Sequence, residues 1–406
     1  MATTTDTRTG HLPGTPAYRR LNVAMVLVGL AAFGILYATQ PILPQLGDEY
    51  GVDAPRASLT VSAATGALAL LVIPATAIGL RIGRVRTIRW GLLAAVALTM
   101  VAAAAPTFGL LVAARGLAGA ALAGVVAVAM GHVAAEVHPS GLAGAMGLYV
   151  AGNSLGGVSG RLVTSAAADL GGWRVALAVL GVVAAVVTAL VWRFTEDTGP
   201  APDAAPALTA DGGTAARPGV LALLREPSVV AVLLLPFVLM GGFVATYNYL
   251  SFRLAAAPFD LPAAVVGLVF LAYLAGTVSS AVAGRAAQRY GRARVLALGV
   301  VVMGLGLALT LPDRLPLVVA GLVVLTAGFF AAHAVASGWA PVLGAAAPAR
   351  ASALYVAMYY AGSSLFGALV GLAWHAGGWD ATAASVGVLV TLALLLVGVA
   401  ARTRRG

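Results

Sequence analysis

The chain reads as an all-α integral membrane protein whose 12 transmembrane helices form two six-helix halves. Three observations predict this. Apolar residues make up 61% of the 406 residues and charged residues only 9%, whereas a soluble domain carries about 25% charge to cover its surface. Twelve apolar runs approach or exceed the ~20 residues that a helix needs to cross a bilayer. The third is a repeat, in which one unit of about 200 residues is used twice. Gly83-Arg84-Val85-Arg86 returns 208 residues later as Gly291-Arg292-Ala293-Arg294. Ala151-Gly152-Asn153-Ser154-Leu155 returns as Ala361-Gly362-Ser363-Ser364-Leu365 at an offset of 210, and Gly171-Gly172-Trp173 as Gly377-Gly378-Trp379 at 206.

Residues 1–18 are polar and rich in Thr, Gly and Pro, and are expected to be a disordered cytoplasmic tail. Arg19-Arg20 followed by an apolar run resembles a signal peptide. The run continues to Leu46, well beyond an h-region of ~7–15 residues, so it is an uncleaved first span. The N-terminal half (19–194) then holds spans at 21–46, 56–80, 87–105, 108–131, 141–167 and 174–194. Residues 195–227 carry Glu196, Asp197, three prolines by Pro206 and a Gly-rich stretch, the composition of a polar cytoplasmic linker. The C-terminal half (228–401) repeats the pattern at 228–252, 262–283, 294–311, 315–335, 350–373 and 381–401, and 402–406 form a short tail.

All 24 basic residues are arginines, and their positions orient the chain. With both termini inside, eighteen lie on cytoplasmic segments, four outside (Arg56, Arg174, Arg253, Arg314) and two within spans (Arg115, Arg161). Eighteen against four satisfies the positive-inside rule. The +10 net charge therefore reflects topology rather than nucleic-acid binding. The absence of cysteine excludes disulfides and thiolate chemistry. Five scattered histidines have no metal-ligand spacing, and a chain without lysine has no phosphate-binding G-x-x-x-x-G-K loop. No catalytic constellation is visible, and a very apolar chain of two parallel halves has the pattern of a secondary transporter rather than an enzyme.

The loop Gly284-Arg285-Ala286-Ala287-Gln288-Arg289-Tyr290-Gly291-Arg292 is similar to the G-x-x-x-D-R-x-G-R-R signature of the major facilitator superfamily, and Arg115-Gly116-Leu117-Ala118-Gly119 resembles its helix 4 motif. A narrower likeness is carried by Gly147 to Leu162, by Leu36-Tyr37-Ala38-Thr39-Gln40-Pro41 and by Tyr247-Asn248-Tyr249. These stretches resemble the YnfM-like group of bacterial inner-membrane permeases, in the drug and sugar efflux branch. The likeness implies the major facilitator fold, two six-helix bundles joined by a cytoplasmic loop, in the bacterial cytoplasmic membrane. It also implies a cytoplasmic gate at Gly83, Arg84, Arg289, Gly291 and Arg292. The signature acid of that gate is Leu80 in one half and Gln288 in the other. A rebuilt network is expected, with Arg84 pairing with Glu136.

A charge deep in a bilayer costs at least ~2.5–3.5 kcal/mol and tends to line a water-filled cavity or to find partners. Arg115 and Arg161 are thus read as binding an anionic group or coupling to protons, against the alternative that they cap carbonyls or snorkel outward. Asp169 is a candidate counter-charge. No Asp or Glu lies clearly inside a span, so His333 and the outer acids Asp48, Glu49 and Asp169 are the candidates for carrying a proton. Polar and aromatic residues near mid-span sketch a solute site: Tyr149, Asn153, Tyr273, Thr326, Phe329, Tyr359 and Ser363. Gln40 and Asn248 occupy equivalent positions at an offset of 208, with Tyr247 beside Asn248. Gly152, Gly156 and Gly160, spaced by four, and Gly367 with Gly371 present small faces for close helix packing. The function expected is alternating-access transport of a small solute, with proton-coupled efflux, implied by the resemblance, ahead of import or uniport of an anionic metabolite. The partners are that solute and the lipid bilayer. No resident cofactor is expected beyond an ion gradient, taken as H+, and the chain is read as a monomer.

Overall fold

The computed structural model describes residues 10–196 and 223–402, and within them the fold is helical throughout, apart from one isolated bridge between His11 and Val137. Ten helices are long and apolar enough to cross a membrane. Two of these, Pro139–Phe194 and Pro348–Arg402, have 56 and 55 residues. At 1.5 Å per residue each is about 80 Å long, more than twice the ~30 Å hydrocarbon core. Both break at the repeated Gly-Gly-Trp. Gly172 and Gly378 have φ of 76° and 60°, in the left-handed region that favours glycine. Each long helix is therefore two spans, and the described residues hold twelve.

Span 1 is Pro16–Leu36, continued after a break by a 3-10 turn at Gln40–Ile42 and by Leu43–Tyr50. Spans 2, 3 and 4 are Ala54–Ile82, Arg84–Ala103 and Phe108–Glu136, and spans 5 and 6 share Pro139–Phe194. Span 7 is Pro227–Ala255. Span 8 runs as Ala263–Leu268, a 3-10 turn at Val269–Ala272 and Tyr273–Tyr290. Spans 9 and 10 are Arg292–Leu309 and Leu315–Leu343, and spans 11 and 12 share Pro348–Arg402. An even number of spans puts Gly10 and Arg402 at one end, the proximal end; the opposite end is distal.

Three expectations need correction. Part of the tail read as disordered is ordered: His11 donates its N–H to Glu136 O (2.7 Å) and accepts from His138 N (3.2 Å), and Thr15 caps the helix that starts at Pro16. The backbone pairing that a short polar segment lacks alone is supplied by the loop after span 4. Residues 1–9, most of the linker (197–222) and 403–406 lie outside the described residues. Spans 1 and 8, read as continuous apolar runs, are broken. Pro41 supplies no N–H, which accounts for the break in span 1. Finally, Arg174 and Arg253 do more than mark the outer side. Arg174 donates to Ala105 O (2.7 Å), and Arg253 donates to Thr310 O and Leu311 O, so each closes the carbonyl end of a neighbouring span.

The repeat extends to packing. Span 1 lies on span 5 and span 7 on span 11; span 2 lies on span 4 and span 8 on span 10. The halves meet through two equivalent pairs, span 2 with span 11 and span 5 with span 8. The glycine row of span 5 faces span 1 at backbone distance. A Cβ on Gly156 would lie 2.5 Å from Leu30 O, and one on Gly160 would lie 2.5 Å from Gly34 Cα. Gly147, on the same helix, faces open space. Substituting alanine at Gly156 or Gly160 is therefore expected to cost about 1–3 kcal/mol through backbone displacement. Gly147→Ala should be neutral or mildly stabilising. Thermal unfolding of the detergent-purified variants measures both; equal melting temperatures would refute the close seam.

Candidate functional site

The break in span 1 concentrates polar chemistry at the centre. Where the helix stops at Leu36, backbone groups lose their intrahelical partners in a region without water to replace them. Arg115 of span 4 answers this from within the N-terminal half. It is 1% exposed and donates through Nη2 to Leu36 O (2.5 Å) and through Nε to Thr60 O (3.3 Å). Its contacts join spans 1, 2 and 4, so it caps carbonyls within the N-terminal half, while its Nη1 is buried without a partner. Capping was the less favoured of its two sequence readings.

Arg161 of span 5 approaches the same break from the side of the passage. Its Nε donates to Gln40 Oε1 (2.8 Å), Nη1 to Gly157 O (2.6 Å) and Nη2 to Tyr273 OH (3.3 Å). The guanidinium also lies over the rings of Tyr37, Phe270 and Tyr273, 4.7–4.9 Å from their centroids. Gln40 in turn donates to Asn248 Oδ1 (2.8 Å), and Asn248 to Gly367 O (3.4 Å). Gln40 and Asn248, equivalent in the repeat, thus bond directly to each other, and both are fully buried. Among the described residues, no carboxylate lies within 4.0 Å of Arg115 or Arg161. Asp169 is not their counter-charge: its two oxygens accept from the backbone N–H groups of Ala263 and Ala264 (3.0 and 2.9 Å), at the start of span 8. Those first-turn donors have no intrahelical partner, so the carboxylate finds a better site there.

On the other seam, Tyr249 OH meets Ser58 Oγ (3.2 Å) and donates to Gly367 O (2.9 Å), while Ser364 Oγ donates to Ser62 O (2.8 Å). Gly371 leaves room for Tyr249 and Pro55. These bonds and the Asp169 cap cluster from the distal surface to mid-depth, so the passage is closed at the distal end. At the proximal end, the pair expected between Arg84 and Glu136 is not formed. The Glu136 carboxylate lies 3.9 Å from His11 and 4.0 Å from His132, and Arg84 runs beside Gly131. The ordered tail, unforeseen from sequence, brings His11 there. Arg289 covers the ring of Tyr290, and Gly83 and Gly291 turn the loops with φ of 104° and 88°.

Proximal to this closure, the C-terminal half is aromatic. Tyr247 OH bonds Thr326 Oγ1 (2.7 Å), and Phe243 stacks on Phe329 at 4.0 Å. His333 bonds Tyr355 OH (3.0 Å) and lies 4.8 Å from the Tyr359 ring. Tyr149 is buried in span 5. Tyr37 lies beside Ser363 and Tyr149 beside Asn153, though Tyr37 OH, Asn153 Oδ1 and Ser363 Oγ make no hydrogen bond of ordinary geometry. Sequence reasoning missed Phe270, Ser58, Ser62 and Tyr355, which carry no local signal; Ser364 and Tyr37 stood in quoted motifs but were not singled out.

The Major Facilitator Superfamily family model matches residues 25–272. The chain belongs to the major facilitator superfamily. It is 38% identical to the inner membrane transport protein YnfM of Escherichia coli (strain K12), over 94% of this chain and 91% of that one. It is 31% identical to an uncharacterized MFS-type transporter, YybF, of Bacillus subtilis (strain 168), over 96% and 95%. Among solved structures it is similar to a bacterial homologue of the human lysosomal transporter Spinster (TM-score 0.75, 14% identity, 97% and 98% covered). It is also similar to the nucleoside transporter NupG (TM-score 0.73, 13% identity, 93% and 99% covered). This major facilitator is thus a YnfM-like secondary transporter, a multi-pass membrane protein and not an enzyme.

The span 2–span 11 seam of this cysteine-free protein is open to a direct check. A Cβ built on Gly66 would lie 3.4 Å from Ser364 Cβ, close to the ~3.5–4.5 Å of a disulfide. Gly66→Cys with Ser364→Cys is expected to cross-link under mild oxidation, abolishing transport until a reductant is added. Cross-linked protein that still transports would show that the seam need not open.

Proposed function

We propose that this protein carries a small anionic solute across the bacterial inner membrane by alternating access, with both termini cytoplasmic and the distal end outside. In this orientation the bonded distal end is the outer gate, and the structure corresponds to the inward-facing side of the cycle. One observation carries the reading. Arg161 is a buried cation between the halves, held by neutral oxygens and ring faces from both, with no carboxylate beside it. Such a group is costly inside a membrane unless something completes its charge, and a carboxylate or phosphate on the solute does so. Tyr37 beside Ser363, and Tyr149 beside Asn153, add buried polar groups that a solute would engage. An anion accepted at Arg161 Nε competes with Gln40 Oε1. Releasing Gln40 weakens its bond to Asn248, so binding is coupled to the outer gate.

Counterflow in proteoliposomes, with a panel of small carboxylates, phosphate esters and matched neutral analogues, tests this. Arg161→Gln is expected to lower kcat/KM for the anionic solute by about thirtyfold or more, as for other buried charge partners, with Arg161→Lys partly restoring it. Neutral analogues transported equally well by both proteins would sink the anion reading.

A second reading, proton-coupled export, is supported by His333. This imidazole lies ten residues from the proximal end of span 10, about 15 Å along the helix, among rings lining the aromatic region. Under that reading His333→Gln abolishes transport driven by a pH gradient and leaves counterflow intact. Unchanged pH-driven transport in the variant would assign the coupling elsewhere.

A further inference from the structure

The internal repeat shows which rings the fold can do without. Phe243, Tyr247, Tyr273 and Tyr355 have Ile35, Thr39, Thr65 and Ala145 as their equivalents in the N-terminal half, at offsets of 208 and 210. The same helix positions are aliphatic or small in one half and aromatic in the other. Helix packing alone therefore does not call for rings at these places. The rings of the C-terminal half are also joined to one another. Phe243 meets Tyr273 edge-on at 5.4 Å and stacks on Phe329 at 4.0 Å, and Phe329 runs parallel to His333 at 5.8 Å. His333 lies 4.8 Å from Tyr359, which meets Tyr360 at 5.1 Å.

This cluster begins at the cation. The Arg161 guanidinium lies over both Tyr273 and Tyr37. Tyr37, in turn, is near Tyr359 and Tyr360 of the opposite half. Ring surface thus starts within one side chain of the charge. Phe243 and Phe329 are fully buried and brace the cluster from behind. His333 and Tyr359 are only half-buried, and with Tyr359 near span 1 of the other half, these two rings border the passage.

We propose that the solute is an aromatic carboxylate, its carboxylate on Arg161 and its ring against Tyr359 and His333. The inference rests on the anion reading of Arg161 and adds the body of the molecule to it. An aryl group exchanges edge-to-face and offset contacts with ring walls, beyond the burial that a saturated ring of the same size obtains. An aliphatic wall, such as the repeat shows the fold would accept, would not tell the two apart.

Isothermal titration calorimetry on the purified chain tests this with matched probes: benzoate against cyclohexanecarboxylate, phenylacetate against cyclohexylacetate, and the neutral benzamide. The aryl carboxylates are expected to bind about fivefold or more tightly than their saturated partners, the scale of one or two aromatic pairs, with benzamide weakest. Tyr359→Leu should remove that preference, and Tyr359→Phe, which keeps the ring, should retain it. Where Tyr359→Leu fails to fold, the comparison of probes on the unaltered chain still decides. Aryl and saturated carboxylates binding equally, both ahead of benzamide, would overturn the aromatic inference and leave the anion reading standing. Benzamide binding as tightly as benzoate would overturn both. A preference unchanged in Tyr359→Leu, or no binding of either aryl carboxylate, also overturns the site.

Discussion

The buried guanidinium of Arg161 sets the terms for the centre of this protein. It sits where the halves meet and touches both: Gln40, Gly157 and Tyr37 on one side, Tyr273 and Phe270 on the other. In water such a cation needs no company. In the middle of a membrane protein it forces its neighbours to be acceptors or ring faces. The break in span 1 follows the same need, because it turns Gln40 inward and frees Leu36 O, which Arg115 then covers. Two arginines thus support one interrupted helix. Only Arg161 also spans the interface, so only its surroundings change when the halves part.

The internal repeat makes the asymmetry informative. Gln40 and Asn248 are equivalent and pair across the pseudo-two-fold axis, each completing the other. Arg161 has its equivalent 210 residues on at Gly371, where a side chain would meet Tyr249 and Pro55. One seam is therefore held by a cation and its aromatic surround, and the other by hydroxyls and close backbone approach. Asn153 Oδ1 and Ser363 Oγ, also 210 apart in sequence, are both buried oxygens beside a tyrosine, Tyr149 and Tyr37.

Much of the fold was legible because its determinants are local. Bilayer-length apolar runs, the Gly-Gly-Trp breaks and the 208-residue echo need no knowledge of tertiary contacts. The deep position of Arg161 and the correspondence of Gln40 with Asn248 were legible for the same reason. What stayed hidden depends on distant backbone. Arg115 looked like a site residue because its carbonyl partners belong to spans 1 and 2, and no sequence pattern advertises a carbonyl. Asp169 looked like a counter-charge because the uncapped start of span 8 lies 94 residues away. The first residues of the chain looked disordered because their pairing partner is the loop after span 4. Arg115 and Asp169 had found backbone groups where a charged partner was expected, and the first residues had found backbone partners where none was expected.

That substitution of backbone for charge also bears on the balance between the two ends. The distal closure is made from neutral amides, hydroxyls, one carboxylate on two backbone N–H groups and the Arg161 guanidinium, held by neutral oxygens and rings. The proximal loops are rich in arginine, and Leu80 and Gln288 stand where the family carries its acid. The nearby carboxylate, Glu136, lies 3.9 Å from His11 and 4.0 Å from His132 rather than on Arg84. Bringing two cationic loops together without an acid between them is opposed by their mutual repulsion, whereas the distal residues attract. On the proposed cycle this balance favours the form closed at the distal end. Under the same proposal, opening it requires a group that competes for the Arg161–Gln40 bond.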